Sequence, residues 1–265
     1  MRNKTWYAAF FVLPLVMVLS SVSVQAGNYL GYRWATSQNP FNIELGMNVN
    51  KTWAPLVDAA SMNWSKSAVL KTMTAPGRTS PTVCAITLGR VEVCNAKYGQ
   101  TGWYGLTQFA MTNGFISGAV VKLNDSYKMS RDYKTMIACH EIGHTFGLDH
   151  QDTTFSNSNL GTCLDYTSDP RGNLQPNNVD YSTLLEVYST NTTFSTVSAY
   201  STVQLALVDL KSPRNWGRLV RESGNKNEMV FVKELGPGNA IITFATLVPG
   251  DVLKDEDKHP QLSFE

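Results

Sequence analysis

The sequence predicts an α+β protein, and three observations carry that prediction. Short runs rich in aromatic and β-branched residues, typical of strands, recur between residues 29 and 124. Residues 53–70 carry apolar side chains at helical spacing, and a second helix is expected from Ser130 to Gly147. Strand-like runs return after residue 200, so the chain should end in a small C-terminal β-rich extension.

The first elements follow from these patterns in order. Residues 29–35 (YLGYRWA) and 40–48 (PFNIELGMN) are predicted strands. The apolar face of the helix at 53–70 should belong to the core, and a loop is expected at residues 74–81 (TAPGRTSP). Residues 95–109 are rich in glycine and aromatic residues and predict an irregular strand, because their glycines fit no phosphate-binding spacing.

The later elements are more regular. Residues 115–124 (FISGAVVKLN) predict a strand. Ser130 is a suitable N-cap for the helix that Gly147 ends, and Asp180 is a suitable cap for a short helix over residues 180–189. At the end of the chain, turn-forming segments separate three strand-like runs, which are residues 201–210, 228–235 and 240–248.

The composition limits the classes of partner. The chain has 265 residues and a formal net charge of +1, with 43% hydrophobic and 16% charged residues, which suits a folded protein of one or two domains. No basic patch stands out, so nucleic acid is not an expected partner.

The N-terminus predicts export. Arg2 and Lys4 precede twelve apolar residues, Ala8 to Leu19, and small residues then flank a cleavage position before Gly27. Twelve residues are too few to cross a bilayer core of about 30 Å as a helix. We therefore expect a signal peptide at 1–26, an extracytoplasmic or secreted mature protein, and no stable membrane association after the signal is removed.

Four cysteines, an even number in an exported chain, predict disulfides but allow three pairings. Cys84 and Cys94 flank residues 85–93, which predict a hairpin with the two cysteines facing across it. Cys139 and Cys163 bracket a cluster of histidines, and their pairing would close a loop over it. Zinc binding by Cys139 is the alternative, but its side chain would point about 100° away from that of His140 on a helix.

Three of the four histidines, His140, His144 and His150, lie within eleven positions. On a helix, His140 and His144 share one face about 5–6 Å apart, and both can reach one zinc ion. Gly147 permits a sharp turn that can return His150 to the same ion. Three neutral ligands with an open fourth position are typical of a catalytic zinc site that activates water.

Glu141 lies beside His140 but on a neighbouring helix face. From there a carboxylate can take a proton from the metal-activated water and pass it to a leaving amine. The alternative interpretation is that the three histidines are ordinary surface or core residues and bind no metal.

The stretch HEIGHTFGLDH (140–150) resembles the zinc signature of the metzincin metalloendopeptidases, nearest to the matrixin-like branch. The resemblance covers about residues 29–190. It implies a twisted mixed sheet with an antiparallel edge strand above the active-site cleft, along which a substrate peptide lies extended. The candidate edge is residues 115–124 or the preceding GWYGLTQ segment.

One position departs from the family pattern. Leu164 stands where metzincins have a methionine beneath the metal, and leucine is apolar and similar in volume. The resemblance also suggests that Tyr166 contacts the metal or the oxyanion, although it can equally be a pocket wall. Asp149 and Asp152 are either partners of the ligand imidazoles or solvated loop acids.

The sequence therefore predicts three parts: a signal peptide (1–26), a zinc protease domain (27–190) and the β-rich extension (191–265). The expected function is a secreted zinc endopeptidase with one Zn²⁺ and a protein or peptide substrate. Two alternatives remain: a secreted zinc-binding protein without turnover, and a surface- or glycan-binding role for the extension.

Overall fold

A computed structural model describes residues 29–189, Leu205, 210–224, 226–250 and Leu253. Ten strands in these ranges form one mixed sheet. The described ranges also contain three complete α-helices, so the α+β class is confirmed. The predicted signal peptide and most of the strand-like run near residue 205 lie outside the described residues. Within the described part, no helix has the length and apolar character needed to span a bilayer.

The sheet combines parallel and antiparallel pairs. Its main path runs β3-β2-β5-β7-β6-β10-β9-β8, while β1 and β4 both pair with β7. The strands are β1 (Arg33–Trp34), β2 (Phe41–Asn48), β3 (Leu70–Pro76), β4 (Thr87–Leu88), β5 (Val91–Ala96), β6 (Trp103–Thr112), β7 (Phe115–Asn124), β8 (Arg218–Glu222), β9 (Glu228–Glu234) and β10 (Asn239–Leu247).

The three helices are α1 (Ala54–Trp64), α2 (Arg131–His144) and α3 (Asn178–Tyr188). Ser130 caps α2 as expected, since its side chain accepts a hydrogen bond from the Tyr133 N–H. The cap of α3 differs from the prediction: Asn177 is the N-cap, and Asp180 completes a capping box from the third helical position.

Several elements differ from the sequence-based expectations. The loop expected at residues 74–81 begins inside strand β3, which pairs in parallel with β2. The predicted hairpin around Gly89 is wrong, because β4 and β5 each pair with β7 and not with each other. By contrast, the irregular strand expected within residues 95–109 agrees with β6, whose pairings with β7 and β10 each contain a register shift. Local pattern identified the strands but not their partners.

The main core lies between the helices and one face of the sheet, and α2 runs through it. Fully buried Trp64 donates a hydrogen bond from Nε1 to the Cys139 carbonyl at 3.1 Å. Buried Trp34 donates likewise to the Thr145 carbonyl at 2.7 Å. These two indoles fix both the middle of α2 and the turn that follows it, because each buried N–H needs an acceptor.

The C-terminal strands continue the main sheet. β10 lies antiparallel to β6, from Asn239 opposite Thr112 to Leu247 opposite Trp103. A second core cluster packs on these strands and comprises Trp103, Leu106, Trp216, Met229, Phe231, Ala245, Leu247 and Leu253. Neither β6 nor β7 is therefore an open edge, since each has a paired strand on both sides.

Candidate metal centre

Helix α2 supplies the first two candidate ligands. His140 and His144 are one helical turn apart and almost completely buried, and their Nε2 atoms are 3.1 Å from each other. Their rings meet edge to face, with centroids 4.6 Å apart. The helix thus aims both imidazoles at one point inside the protein.

The turn after α2 supplies the third ligand. Gly147 has φ +82°, and a Cβ there would lie 1.8 Å from the Tyr32 carbonyl oxygen, so only glycine fits. The returning chain places His150 Nε2 2.9 Å from His140 Nε2. The sequence-predicted triad His140, His144 and His150 therefore converges.

Hydrogen bonds to carbonyl groups set the orientation of two rings. His140 Nδ1 lies 2.7 Å from the Cys163 carbonyl oxygen, and His144 Nδ1 lies 2.8 Å from that of Leu148. A carbonyl only accepts, so each Nδ1 carries the proton and each Nε2 presents a lone pair. The Nε2 lone pairs of His140 and His144, 3.1 Å apart, repel one another unless a cation lies between them.

This donor set fits a single Zn²⁺ ion. The three histidines form a group able to hold one metal ion. Zn–N distances of about 2.0–2.1 Å in a tetrahedral site place neighbouring nitrogens about 3.3 Å apart. The Nε2 separations of 2.9 and 3.1 Å are close to that value. Small ring movements would accommodate the ion.

The pKa shifts of the α2 histidines agree with neutral ligands. Burial, followed by the charges of His144 and His150, holds the pKa of His140 well below its usual value. Burial and His150 lower the pKa of His144 to about 4. Both imidazoles are thus free of a second proton at neutral pH, as metal coordination requires.

His150 has a different environment. Its Nδ1 lies 3.1 Å from Glu228 Oε2 and 3.4 Å from Asp149 Oδ1. Burial alone would lower its pKa, but Glu228 and Asp149 outweigh burial and raise the pKa to about 9. Carboxylates that favour a proton on this ring also favour a metal cation beside it.

Arg221 holds these carboxylates in place. It pairs through both terminal nitrogens with Asp149 and donates a further hydrogen bond to Glu228 Oε1 at 3.1 Å. Glu228 is 2% exposed, so its charge depends on Arg221 and His150 for compensation. Asp149 thus contacts a ligand imidazole, as one sequence-based alternative expected, whereas Asp152 instead bonds Thr154 and Asn157.

Glu141 lies under strands β6 and β10. Thr107 donates to its Oε2 at 2.7 Å, and Thr246 donates to its Oε1 at 2.6 Å. A Cβ on Gly105 would lie 2.5 Å from Oε1, so the glycine makes room for the carboxylate. Burial raises the pKa of Glu141 to about 7, against the hydrogen bonds from Thr246 and Thr107, which lower it.

The floor of the site is built around the Cys139–Cys163 disulfide. This bond ties α2 to the turn that contains Leu164, and the other disulfide joins Cys84 to Cys94. Leu164 is buried against α2, where a Cβ on Gly143 would lie 3.1 Å from its Cδ2. An apolar side chain therefore lies beneath the ligand helix.

Tyr166 is also brought into the site. Its ring centroid is 4.6 Å from that of His150 and 5.7 Å from that of His140. Burial raises the pKa of its hydroxyl well above the usual value, so it stays protonated. In this position it can donate a hydrogen bond.

Sequence reasoning missed the residues that surround the triad. They lie on β6 and on the C-terminal strands: Thr107, Arg221, Glu228, Phe244 and Thr246. Phe244 stacks on His144 with centroids 4.7 Å apart. The sequence predicted that most of these residues lie in strands, but a strand pattern does not show which distant residue each side chain will contact.

Comparison with known proteins gives no match to a known family and no match among curated proteins. Among solved structures, the chain is similar to myroilysin, with a TM-score of 0.35, 13% identity and coverage of 60% of this chain and 97% of that one. It is also similar to high choriolytic enzyme 1, a hatching-enzyme zinc protease of the medaka fish Oryzias latipes, with a TM-score of 0.35, 13% identity and coverage of 59% and 94%. The geometry of the site carries the functional argument.

Proposed function

We propose that the protein is a secreted, metzincin-like zinc endopeptidase. The observation that carries the proposal is the convergence of three buried imidazoles, with Glu141 next to the first of them in the chain. A structural zinc site needs no such carboxylate. We also propose that it belongs to the matrixin-like branch, and the support for this branch is the HEIGHTFGLDH stretch alone.

The chain's own residues would share the work as follows. His140, His144 and His150 would hold the zinc ion. The ion would act as a Lewis acid that polarises a peptide carbonyl and lowers the pKa of water toward neutrality. Glu141, with a pKa of about 7, is suited to accept a proton and return it to the leaving amine. The Tyr166 hydroxyl would donate a hydrogen bond to the developing oxyanion.

The test combines metal analysis with substrate cleavage. The purified full-length chain should contain one zinc per molecule and cleave casein or a peptide library, and a chelator should stop cleavage. Glu141→Gln should retain zinc and lose at least about a hundredfold of activity, since general acid–base catalysis contributes about 10²–10⁴-fold.

The matched control is Glu186→Gln, which makes the same chemical change at an exposed position of α3. It should leave zinc and cleavage unchanged. Zinc-dependent cleavage that survives Glu141→Gln at the parent rate would contradict the proposed mechanism.

A second candidate function is a secreted zinc-binding protein without turnover. The observation that favours it is burial: His140, His144, His150 and Glu141 are each at most 1% exposed. A zinc-loaded chain that cleaves no peptide, even when the C-terminal strands that bury these residues are loosened by substitution, would support this candidate over the endopeptidase.

Three further parts of the proposal follow from the sequence. The two disulfides fit an oxidising, extracytoplasmic compartment, and the signal peptide would direct the chain there. The substrate would be a protein or peptide. The chain would divide into a protease domain (27–190) and an extension (191–265), although one sheet contains strands from both.

A further inference from the structure

The C-terminal strands lie where a substrate would have to bind. An extended peptide can pair with a strand only if that strand has free backbone groups. β7 occupies one side of β6, and β10 occupies the other along nearly the whole strand, from Thr112 to Trp103. The backbone edge above Glu141 is therefore filled by the protein's own chain.

Two side chains of β10 fill the site itself. Thr246 lies opposite Gly105 and donates its hydroxyl hydrogen to Glu141. Phe244 lies opposite Thr107 on the same face and stacks on His144. One side chain thus engages the proposed base, and the other covers a proposed zinc ligand.

The neighbouring strands β8 and β9 reach the third proposed ligand, and β8–β10 together are called the cover. Glu228 of β9 lies opposite Thr246 and contacts His150. Arg221 of β8 then binds both Glu228 and Asp149, the residue next to His150. Polar contacts therefore attach β8 and β9 to the loop after α2.

The consequence is a closed site. His140, Glu141, His144 and His150 are 0–1% exposed, so their side chains have almost no contact with solvent in the described structure. We propose that β8–β10 act as an intramolecular inhibitor, which occupies the substrate edge and must move away before cleavage. This inference rests on the proposed endopeptidase function, and it explains why a complete catalytic set is buried.

The test loosens the C-terminal strands by substitutions outside the proposed zinc ligands and Glu141. Arg221→Met removes the link to Asp149 and Glu228, and Thr246→Val removes the hydrogen bond to Glu141 while it keeps the side-chain volume. The variants are made singly and together in the full chain. Arg221 is 40% exposed, so its single variant should fold even if the double variant does not.

Two readouts separate the cover from the chemistry. The first is binding of a fluorescent hydroxamate, a small zinc chelator, to the zinc-loaded protein; the second is peptide cleavage. The affinity for the hydroxamate and the rate of cleavage should each rise about tenfold or more. Loss of a hydrogen bond to a charged group shifts the equilibrium between the covered and open forms by that order. Arg218→Met, on the same strand at an exposed position, should change neither.

The possible outcomes test the inhibitor and the endopeptidase separately. Stronger hydroxamate binding and faster cleavage support both the inhibitor and the endopeptidase. Stronger hydroxamate binding without any cleavage supports the cover but overturns the endopeptidase. Equal hydroxamate binding and equal cleavage in the parent, the Arg221→Met variant and the Arg218→Met control overturn the inhibitor and leave the cleavage result to decide the function.

Discussion

The helix–turn segment that supplies the ligands and the C-terminal strands that surround them contribute to one site in different ways. His150 comes to His140 from only ten residues away, through a helix and a turn. Thr246 reaches Glu141 from 105 residues away, through strand pairing. The proposed ligands are therefore close together in the sequence, whereas the residues that bury them come from distant segments of the chain.

Their cores differ as well. α2 is buried in the large cluster that contains Trp64 and Phe146. The C-terminal strands contribute Val230, Ile242 and Phe244 to this cluster, and they also share a smaller cluster with β6 that contains Trp216 and Phe231. If the second region is a detachable cover, loss of its core should leave the metal site intact.

Replacement of one tryptophan in each core tests this difference most strongly. Trp64→Ala and Trp216→Ala should each lower the free energy of unfolding of their region by about 3–5 kcal/mol, because both side chains are fully buried. Trp64 packs against Gly143 and bonds the Cys139 carbonyl, so its loss should also weaken zinc binding. Trp216→Ala should keep the three histidines together and lower the affinity for zinc by no more than the loss of Glu228 does, about 10–100-fold.

Hydrogen exchange and bound-zinc analysis make this measurement. In Trp216→Ala, exchange should rise in β8–β10 and stay low in α2. Equal loss of protection and of zinc in both variants would show that the two regions form one cooperative unit.

The two disulfides differ in the length of the loop that each closes. Replacement of Cys139 and Cys163 by serine opens a loop with a sequence separation of 24, against 10 for Cys84 and Cys94. Chain entropy predicts losses of about 3.4 and about 2.7 kcal/mol of unfolding free energy. Denaturant titration gives both values, and zinc content should fall only in the first variant, since only that bond holds the floor of the site.

Glu228→Gln tests how much the C-terminal region adds to metal binding. It removes the negative charge beside His150 Nδ1, so the affinity for zinc should fall about 10–100-fold, as is usual when a partner of a ligand is changed. Competition with a fluorescent zinc indicator measures the affinity. Glu234→Gln, an exposed change on the same strand, should have no effect, and a similar loss there would refute a specific role for Glu228.

Leu164→Met should have the smallest effect. It restores the residue expected from the resemblance at a buried position of similar volume, so the free energy of unfolding should change by less than about 1.5 kcal/mol. Thermal denaturation and zinc content check the expectation. A larger loss would mean that leucine fits this floor in a way that methionine cannot.

The sequence predicted most of the strands and helices because alternation and helical spacing are local properties. It did not predict which strands pair. Residues 85–93 had the pattern of a hairpin, but its two strands, β4 and β5, each pair with β7. Likewise, nothing in residues 228–248 indicated that they would pair with β6 rather than form a separate sheet.

The three proposed ligands could be predicted from the sequence alone. Helical geometry places His140 and His144 on one face, and Gly147 is the residue that permits the turn to His150. Their surroundings, which include Thr107, Thr246, Phe244, Glu228 and Arg221, became visible in the folded structure and could not be predicted from the sequence. A strand's pattern sets which face a side chain occupies, whereas its neighbours depend on the pairing register of distant segments.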